Sequence, residues 1–253
     1  MAKLSTKMQY LKEIYEELEY YATWKPELEL KLGDIGYIEN NYFDYYSNLK
    51  RRSINFRKRL DRTPGDFKYE TKKLLAIKFK AAGKAAPMGS TLTKLDAGLI
   101  IKFKKAAGIY FETFNAYINL IEDQIALEEE VLERFYQNKW DPRLVIITEI
   151  VNAERAVIFI SKSKKSKIEL KANGAFKMGT LNIADAEADF QVISAKFMDT
   201  RTFATKGITP LFRVKGLVDE CGCHIKFKPP KRQRRKLIDG GKIRFDFIKH
   251  ADK

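Results

Sequence analysis

Two segments of this chain repeat their apolar residues with the period of a helix. Residues 5–22 and residues 123–137 both place apolar side chains at three- and four-residue spacing between charged ones, which predicts two amphipathic helices. Ser5 stands where a helix-capping residue is expected. The apolar positions are Met8, Leu11, Tyr15 and Leu18 in the first segment and Ile125, Leu132, Phe135 and Tyr136 in the second.

Most of the remaining chain alternates with period two, which predicts strands. The two longest candidates, 67–80 and 97–120, are joined by the small-residue stretch 81–90 and predict an extended hairpin. Shorter strands are expected at 28–32, 37–43 with a tight turn at Asn40–Asn41, 144–151, 156–160 after a turn at 152–154, 168–170, 184–192 and 209–214. Regular alternation of strand and helix is missing, so a doubly wound parallel sheet is not expected.

These patterns predict an α+β fold built on a largely antiparallel, twisted sheet, with an N-terminal helix and a second helix inserted mid-chain. Residues 1–224 are expected to form a single α+β body. Residues 225–253 are expected to form a basic C-terminal extension or hairpin, because a run of Pro, Lys and Arg lies between two alternating segments, 225–227 and 243–247. We also expect that Ile243, Phe245 and Phe247 pair with the sheet of the body.

Charge sharpens this interpretation. The 253 residues carry a formal net charge of +15. Residues 50–105 hold 17 Lys and Arg against 4 Asp and Glu, and residues 225–253 hold 11 against 3, while the rest of the chain is mildly acidic. A basic protein of this kind is expected to meet an acidic partner, either nucleic acid or an anionic membrane.

The sequence offers little catalytic or metal-binding chemistry. It has two His and two Cys, with neither a phosphate-binding glycine loop nor a nucleophile elbow. Cys221, Cys223 and His224 lie close together, but they are interpreted as a turn with two ordinary thiols, because a tetrahedral metal site needs a fourth ligand. Asp185, Glu187 and Asp189 are interpreted as a solvated strand face. We therefore expect no enzyme activity, no cofactor, no metal and no small-molecule substrate.

The stretch from Trp140 to Val218 resembles the pore-forming domain of the gasdermin family and its prokaryotic relatives. The resemblance rests on the apolar strand 144–151 with its Thr148–Glu149, on the following strand 156–161, and on Pro210–Leu217, which looks like the family's Leu-Ala-Phe-Arg-Val strand. The order of a long strand pair, a helix and a central strand also fits. The basic tail 225–253 is unlike a gasdermin inhibitory segment, and the N-terminal end lacks the early Cys that some bacterial members carry.

The resemblance implies a protein that is soluble and cytoplasmic while inactive and membrane-bound once released. Such a protein binds acidic lipid through basic residues, refolds hairpins into membrane strands and self-associates into rings. The resemblance also implies a role in cell death and defence. Residues expected to contact lipid phosphate are Arg51, Arg52, Arg57, Lys58, Lys78, Lys80, Lys102, Lys104, Lys164 and Lys165. The face expected to enter the membrane consists of Leu75, Ile77, Phe79, Leu99, Ile101 and Phe103.

Three alternatives stay open. The predicted hairpin is equally a half-buried sheet that packs its apolar face on a core and shows Lys to water. The basic segments, with Tyr and Phe nearby, also suit a nucleic-acid-binding module. Finally, the charge of a non-catalytic structural or interaction protein serves only solubility.

Overall fold

The computed structural model describes residues 5–25, 28–61, 65–71, 74–172, 190–203, 207–225 and 243–248. The fold is α+β, with antiparallel strands, an N-terminal helix and a mid-chain helix, as predicted. The helices are α1 (Thr6–Leu18) and α2 (Gln124–Tyr136), with a short 3-10 helix at Lys50–Arg52. The strands are β1 (Tyr21–Ala22), β2 (Asp34–Glu39), β3 (Tyr42–Asn48), β4 (Lys58–Asp61), β5 (Lys68–Glu70), β6 (Leu75–Lys80), β7 (Gly98–Phe103), β8 (Ile109–Ile121), β9 (Val145–Ser161), β10 (Lys167–Ala172), β11 (Phe190–Lys196), β12 (Met198–Phe203), β13 (Ile208–Asp219) and β14 (Ile243–Phe247).

The chain divides into two compact units. Unit 1 comprises Met1–Leu18, Pro64–Ala116 and Ala153–Ile208, and unit 2 comprises Glu19–Thr63, Tyr117–Asn152 and Thr209–Lys253. The polypeptide passes between the units within β8, within β9 and at the first residue of β13, among other places. Each unit therefore collects segments that are far apart in the sequence.

Unit 1 contains a four-stranded antiparallel sheet in the order β11-β10-β7-β6. The register pairs Ile77 with Ile101 and Ile101 with Ile168, so one apolar face runs across three strands. In the same unit β5 pairs with the first part of β8, and β12 pairs with the last part of β9. Helix α1 begins at Ser5, whose side-chain oxygen accepts a hydrogen bond from the Met8 amide at 3.3 Å.

Unit 2 is built on strands in the order β1-β13-β9-β2-β3. Strand β4 pairs with the last part of β8, and β14 pairs with β13. The β2–β3 hairpin turns at Asn40 and Asn41, whose φ angles of 51° and 62° confirm the predicted tight turn, since Asn tolerates the left-handed region. Helix α2 is capped by Asp123, which accepts from the Ala126 amide at 2.9 Å.

The helices lie within the predicted segments, but α1 ends at Leu18 instead of residue 22, and each buried face was predicted only in part, at Leu11 and Phe135. Helix α1 buries Tyr10, Leu11 and Ile14, while Met8, Tyr15 and Leu18 are half-buried. Helix α2 buries Leu127, Val131 and Phe135, and Ile125 is 73 % exposed. In each helix the buried residues are shifted by about one position from the predicted apolar positions. The reason is that the elements packed against a helix decide which of its faces is buried.

Four expectations about strands are also corrected. Residues 28–32 show alternating burial but form no strand, and the turn expected at 152–154 is part of the continuous 17-residue β9. The long strand expected at 67–80 is split into β5 and β6, and the one at 97–120 into β7 and β8. The break after β7 includes Ala107 with a φ of 56°, which interrupts extended geometry.

The C-terminal strand pairs with the sheet of the body, which was one of its two expected pairings; the other was a hairpin with 225–227. Strand β14 lies on β13, with Phe245 opposite Leu217 and Phe247 opposite Lys215. Ile243 and Phe245 are buried there. The basic run within 226–242 and the alternating segment 184–189 lie outside the described residues.

Candidate functional site

The apolar face of the four-stranded sheet is packed into the core of unit 1. Leu99, Ile101 and Phe103 are 2 % exposed or less and contact buried residues of β8, β9 and β10. Leu75 and Ile77 pack against the same cluster as partly buried residues. Phe79 does not join the cluster and is 47 % exposed. In this structure, five of the six residues expected to enter a membrane therefore contribute to a protein core.

Lys80 lies on the same face of the sheet as Lys78, but the connection between β6 and β7 covers it. Its side chain is 4 % exposed, and its Nζ donates to the carbonyl oxygens of Lys94 and Asp96, in the connection between β6 and β7. Lys80 was expected to contact lipid, and its burial rules out a surface contact in this fold. Lys78 is exposed, as predicted.

The opposite face of the sheet carries lysines in a row. Lys102 pairs across the ladder with Lys167, and Lys167 pairs with Lys196, so three lysines lie side by side on adjacent strands. Like charges in directly opposite positions destabilise a sheet. This row is therefore a place where a bound anion would relieve repulsion.

Glu169 offsets part of this charge from inside the sheet. Its side chain is fully buried, and its Oε1 lies 2.7 Å from Lys167 Nζ. The Thr91 amide and hydroxyl both donate to the other carboxylate oxygen. Burial raises the pKa of Glu169, but the hydrogen bonds from Lys167 and Thr91 outweigh it and lower the pKa to about 2. Glu169 is thus a permanent internal counter-ion for Lys167.

Further lysines gather where the two hairpins, β6–β7 and β10–β11, join the rest of the chain. At this end the Phe103 amide donates to the Ser166 carbonyl at 3.0 Å, and the Lys162 amide donates to the Phe197 carbonyl at 2.9 Å. We name this the lysine end and define it by Lys102, Lys104, Lys105, Lys162, Lys164, Lys165, Lys167 and Lys196. All of these side chains except those of Lys102 and Lys167 are exposed.

An exposed aromatic residue lies within the lysine end. Phe197 is 59 % exposed and has a φ of 54°, a conformation that bulky residues rarely adopt. Its carbonyl accepts hydrogen bonds from the Lys162 amide and the Ser166 hydroxyl, which hold the backbone in this shape. The lysine end therefore combines exposed basic side chains with an exposed aromatic ring.

The structure brings together only part of the expected set. Lys102, Lys104, Lys164 and Lys165 meet at the lysine end. Sequence reasoning missed Lys105, Lys162, Lys167, Lys196 and Phe197, although the four Lys among residues 161–167 were a signal for that loop.

The other expected basic residues belong to unit 2, in two places. The Arg52 guanidinium lies 5.8 Å from the centre of the Tyr46 ring, which contacts Tyr37 edge to face. The Arg143 guanidinium lies 5.6 Å from the Tyr37 ring. We name Tyr37, Tyr46, Arg52 and Arg143 the Tyr–Arg cluster. Arg51 precedes it on the exposed 3-10 helix.

Arg57 and Lys58 lie elsewhere in unit 2. Both are exposed at the start of β4, where the Arg57 carbonyl accepts from the Glu122 amide at 3.0 Å. Arg57 also lines a groove beside the first turns of α2, together with Asp123 and Glu130. The acidic lining makes Arg57 a weaker candidate for phosphate than the residues of the lysine end.

The Cys221–His224 segment forms a turn, as predicted. Asp219 accepts hydrogen bonds from the Cys221 and Cys223 amides, Gly222 has a φ of 77°, and both thiols are exposed. Among the residues the structure describes, no group of three or more His, Cys, Asp or Glu could hold a metal ion. Asp185, Glu187 and Asp189 lie outside those residues.

No helix in the described part of the chain is long and apolar enough to cross a bilayer. Comparison with protein-family models finds none that matches this chain, and comparison with curated proteins finds no match either.

Proposed function

We propose that this protein binds anionic membranes and forms pores, by inserting the β6–β7 and β10–β11 hairpins after activation and by self-association. The observation that carries the proposal is the four-stranded sheet of unit 1, which is apolar on one face and lysine-bearing on the other. A membrane barrel needs this alternation, with apolar side chains toward lipid and polar side chains toward the lumen. The resemblance to gasdermins points in the same direction.

Insertion requires longer strands than the present ones. Strands β6 and β7 have six residues each, whereas a strand that crosses a bilayer needs about 9–11. Residues 81–97 connect the two strands: 81–83 would lengthen β6 to nine residues without adding a charge, and 95–97 would lengthen β7 to nine residues and add Asp96. Refolding of this connection into β6 and β7 would supply the missing length.

The lysine end fixes the direction of insertion. Both hairpins leave the body at that end, so their closed ends would cross the bilayer while the lysines stay at the phosphates of the entry leaflet. A lysine near an anionic surface contributes about 1 kcal/mol. Strands β6 and β11 lie at the two edges of the sheet among the described strands, and edge strands are where further copies can add.

Dye leakage from vesicles of phosphatidylglycerol and phosphatidylcholine tests the proposal, with the intact protein and after limited proteolysis. The double variant Lys164→Glu with Lys165→Glu reverses two exposed charges of the lysine end and is expected to lower the leakage rate by at least about 30-fold, since each lost lysine costs about 1 kcal/mol of membrane binding. The matched variant Lys12→Glu with Lys139→Glu removes the same charge from exposed positions elsewhere. Equal loss in both variants, or absence of leakage under every condition, contradicts the proposal.

A second candidate function, binding of single-stranded nucleic acid, is favoured by the Tyr–Arg cluster. Tyr46 is 56 % exposed and its neighbour Tyr45 47 %, so both rings are accessible for base stacking, with Arg51 and Arg52 close by in the chain. A salt-dependent gel shift with single-stranded DNA and RNA, repeated with Tyr46→Ala, tests it. Absence of binding at low salt removes this candidate.

A further inference from the structure

The connection between β6 and β7 presents two strongly exposed apolar side chains. Met88 is 100 % exposed and Leu95 is 84 % exposed, the two highest values among the large apolar residues that the structure describes as exposed. Lys84 and Lys94 are exposed in the same stretch. We name residues 81–97 the β6–β7 loop.

Charged side chains of the neighbouring strands β6 and β10 hold this loop in a defined shape. Lys80 Nζ donates to carbonyl oxygens of the loop, and Lys171 Nζ lies 2.7 Å from the Asp96 carboxylate. The hydrogen bond from Lys171 and those from the Thr93 amide and hydroxyl hold the pKa of Asp96 well below its usual range. Asp96 therefore stays ionised and keeps its contact with β10 across the neutral pH range.

Two more contacts fasten the middle of the loop to β10. Lys167 Nζ donates to the Gly89 carbonyl at 2.6 Å, and Thr91 donates to the buried Glu169. Leu92 points inward and is 3 % exposed. Since the loop is held at these points and buries one apolar residue of its own, the exposure of Met88 and Leu95 belongs to a formed surface.

The chemistry of this surface fits an anionic lipid interface. Residues 81–95 contain two Lys and neither Asp nor Glu, so the exposed part of the loop is basic. Lysines keep their amino groups at the phosphate level while their methylene stems and neighbouring apolar side chains enter the acyl boundary. A protein partner would need a complementary acidic and apolar groove, whereas a bilayer surface needs no further shape match.

We infer that the β6–β7 loop is a preformed docking surface for anionic membranes, which places Met88 and Leu95 in the lipid interface while the sheet is still folded. This inference rests on the proposed function and names the residues that touch lipid first. Because the loop lies at the closed end of the hairpin, docking there would precede insertion, and the lysine end would reach the phosphates last.

Cosedimentation with vesicles of phosphatidylglycerol and phosphatidylcholine tests the loop without any activation. Met88→Asp and Leu95→Asp are each expected to weaken binding about tenfold, because a charge replaces an apolar group at the interface. Ile125→Asp is the matched control, since Ile125 is 73 % exposed on α2, and it is expected to leave binding unchanged. Both loop positions are exposed, so these variants are expected to fold.

A fluorescent probe locates the contact directly. In a protein with Ser at positions 221 and 223, Met88→Cys labelled with bimane is expected to shift its emission to the blue on adding the vesicles, and nitroxide-bearing lipid is expected to quench it. If the wild type binds vesicles and leaks dye while loop variants and the probe show no change, the docking inference is overturned and the proposed function stands. If the wild type neither binds nor leaks, both are overturned.

Discussion

Replacement of Glu169 by Gln is expected to lower the free energy of unfolding by about 3 kcal/mol. The variant keeps the shape of the side chain but leaves Lys167, whose side chain is 14 % exposed, without its counter-ion at 2.7 Å. Breaking a buried ion pair from one side is costly, because the remaining charge stays desolvated. Urea denaturation followed by circular dichroism measures the change.

The same contact predicts a pH dependence. The pKa of Glu169 is about 2 in the folded state, below the value near 4.3 of an unfolded chain. A depressed carboxyl pKa gives stability that is present above the unfolded value and lost as the pH falls. The stability difference between wild type and Glu169→Gln is therefore expected to be full at pH 7 and to shrink as the pH is lowered from about 5 to 2.

Glu16→Gln serves as the control for both measurements. Glu16 forms an exposed pair with Lys12 at 3.4 Å, and exposed pairs of this kind contribute less than about 1 kcal/mol. If Glu169→Gln lowers the free energy of unfolding no more than Glu16→Gln does, the buried carboxylate is not the counter-ion of Lys167. The contact between Thr91 and Glu169 would then no longer count as one that holds the β6–β7 loop.

The second large effect is expected in unit 2, where Phe212→Ala should cost about 4 kcal/mol. Phe212 is 1 % exposed, stacks on Tyr21 with ring centres 5.7 Å apart and meets Phe43 edge to face at 5.7 Å. Its removal leaves a cavity and takes away both ring contacts. Thermal and urea denaturation measure the loss.

Phe212→Leu is the matched control, because it keeps most of the apolar volume and removes only the ring contacts. It is expected to cost about 1–1.5 kcal/mol. A loss below about 1 kcal/mol for Phe212→Ala would show that the site collapses around the missing ring. The aromatic cluster would then not be what stabilises this region.

The parts of the fold that local chemistry decides were predictable from sequence. Ser5 marked the beginning of α1, and Asn40–Asn41 marked the turn of the β2–β3 hairpin. The uninterrupted β9 was not predictable, because the polar residues Asn152 and Glu154 interrupt the apolar sequence in the way that a turn does. In the structure they alternate with buried Ala153, as residues of a half-exposed strand do.

The candidate site depends on register, which sequence patterns fix only loosely. Lys102, Lys167 and Lys196 are separated by dozens of residues and become neighbours only through the pairing of β7, β10 and β11. The burial of Lys80 likewise depends on carbonyl groups of a connection that has no regular period. The alternation of Lys with apolar residues indicated a sheet with one apolar and one basic face. It did not predict that Lys102, Lys167 and Lys196 are neighbours, or that Lys80 is buried.

The row of lysines across β7, β10 and β11 has a consequence for handling the protein. A ligand that binds only the folded state stabilises it, and the gain grows with the logarithm of the ligand concentration once that concentration exceeds the Kd. We expect multivalent buffer anions such as phosphate and sulfate to act as ligands of this kind, because Lys102, Lys167 and Lys196 lie on neighbouring strands of the sheet. Melting temperatures measured in different buffers are therefore expected to be comparable only when the anion composition is the same. Phosphate buffer is also expected to compete with lipid headgroups for the lysines in a vesicle assay.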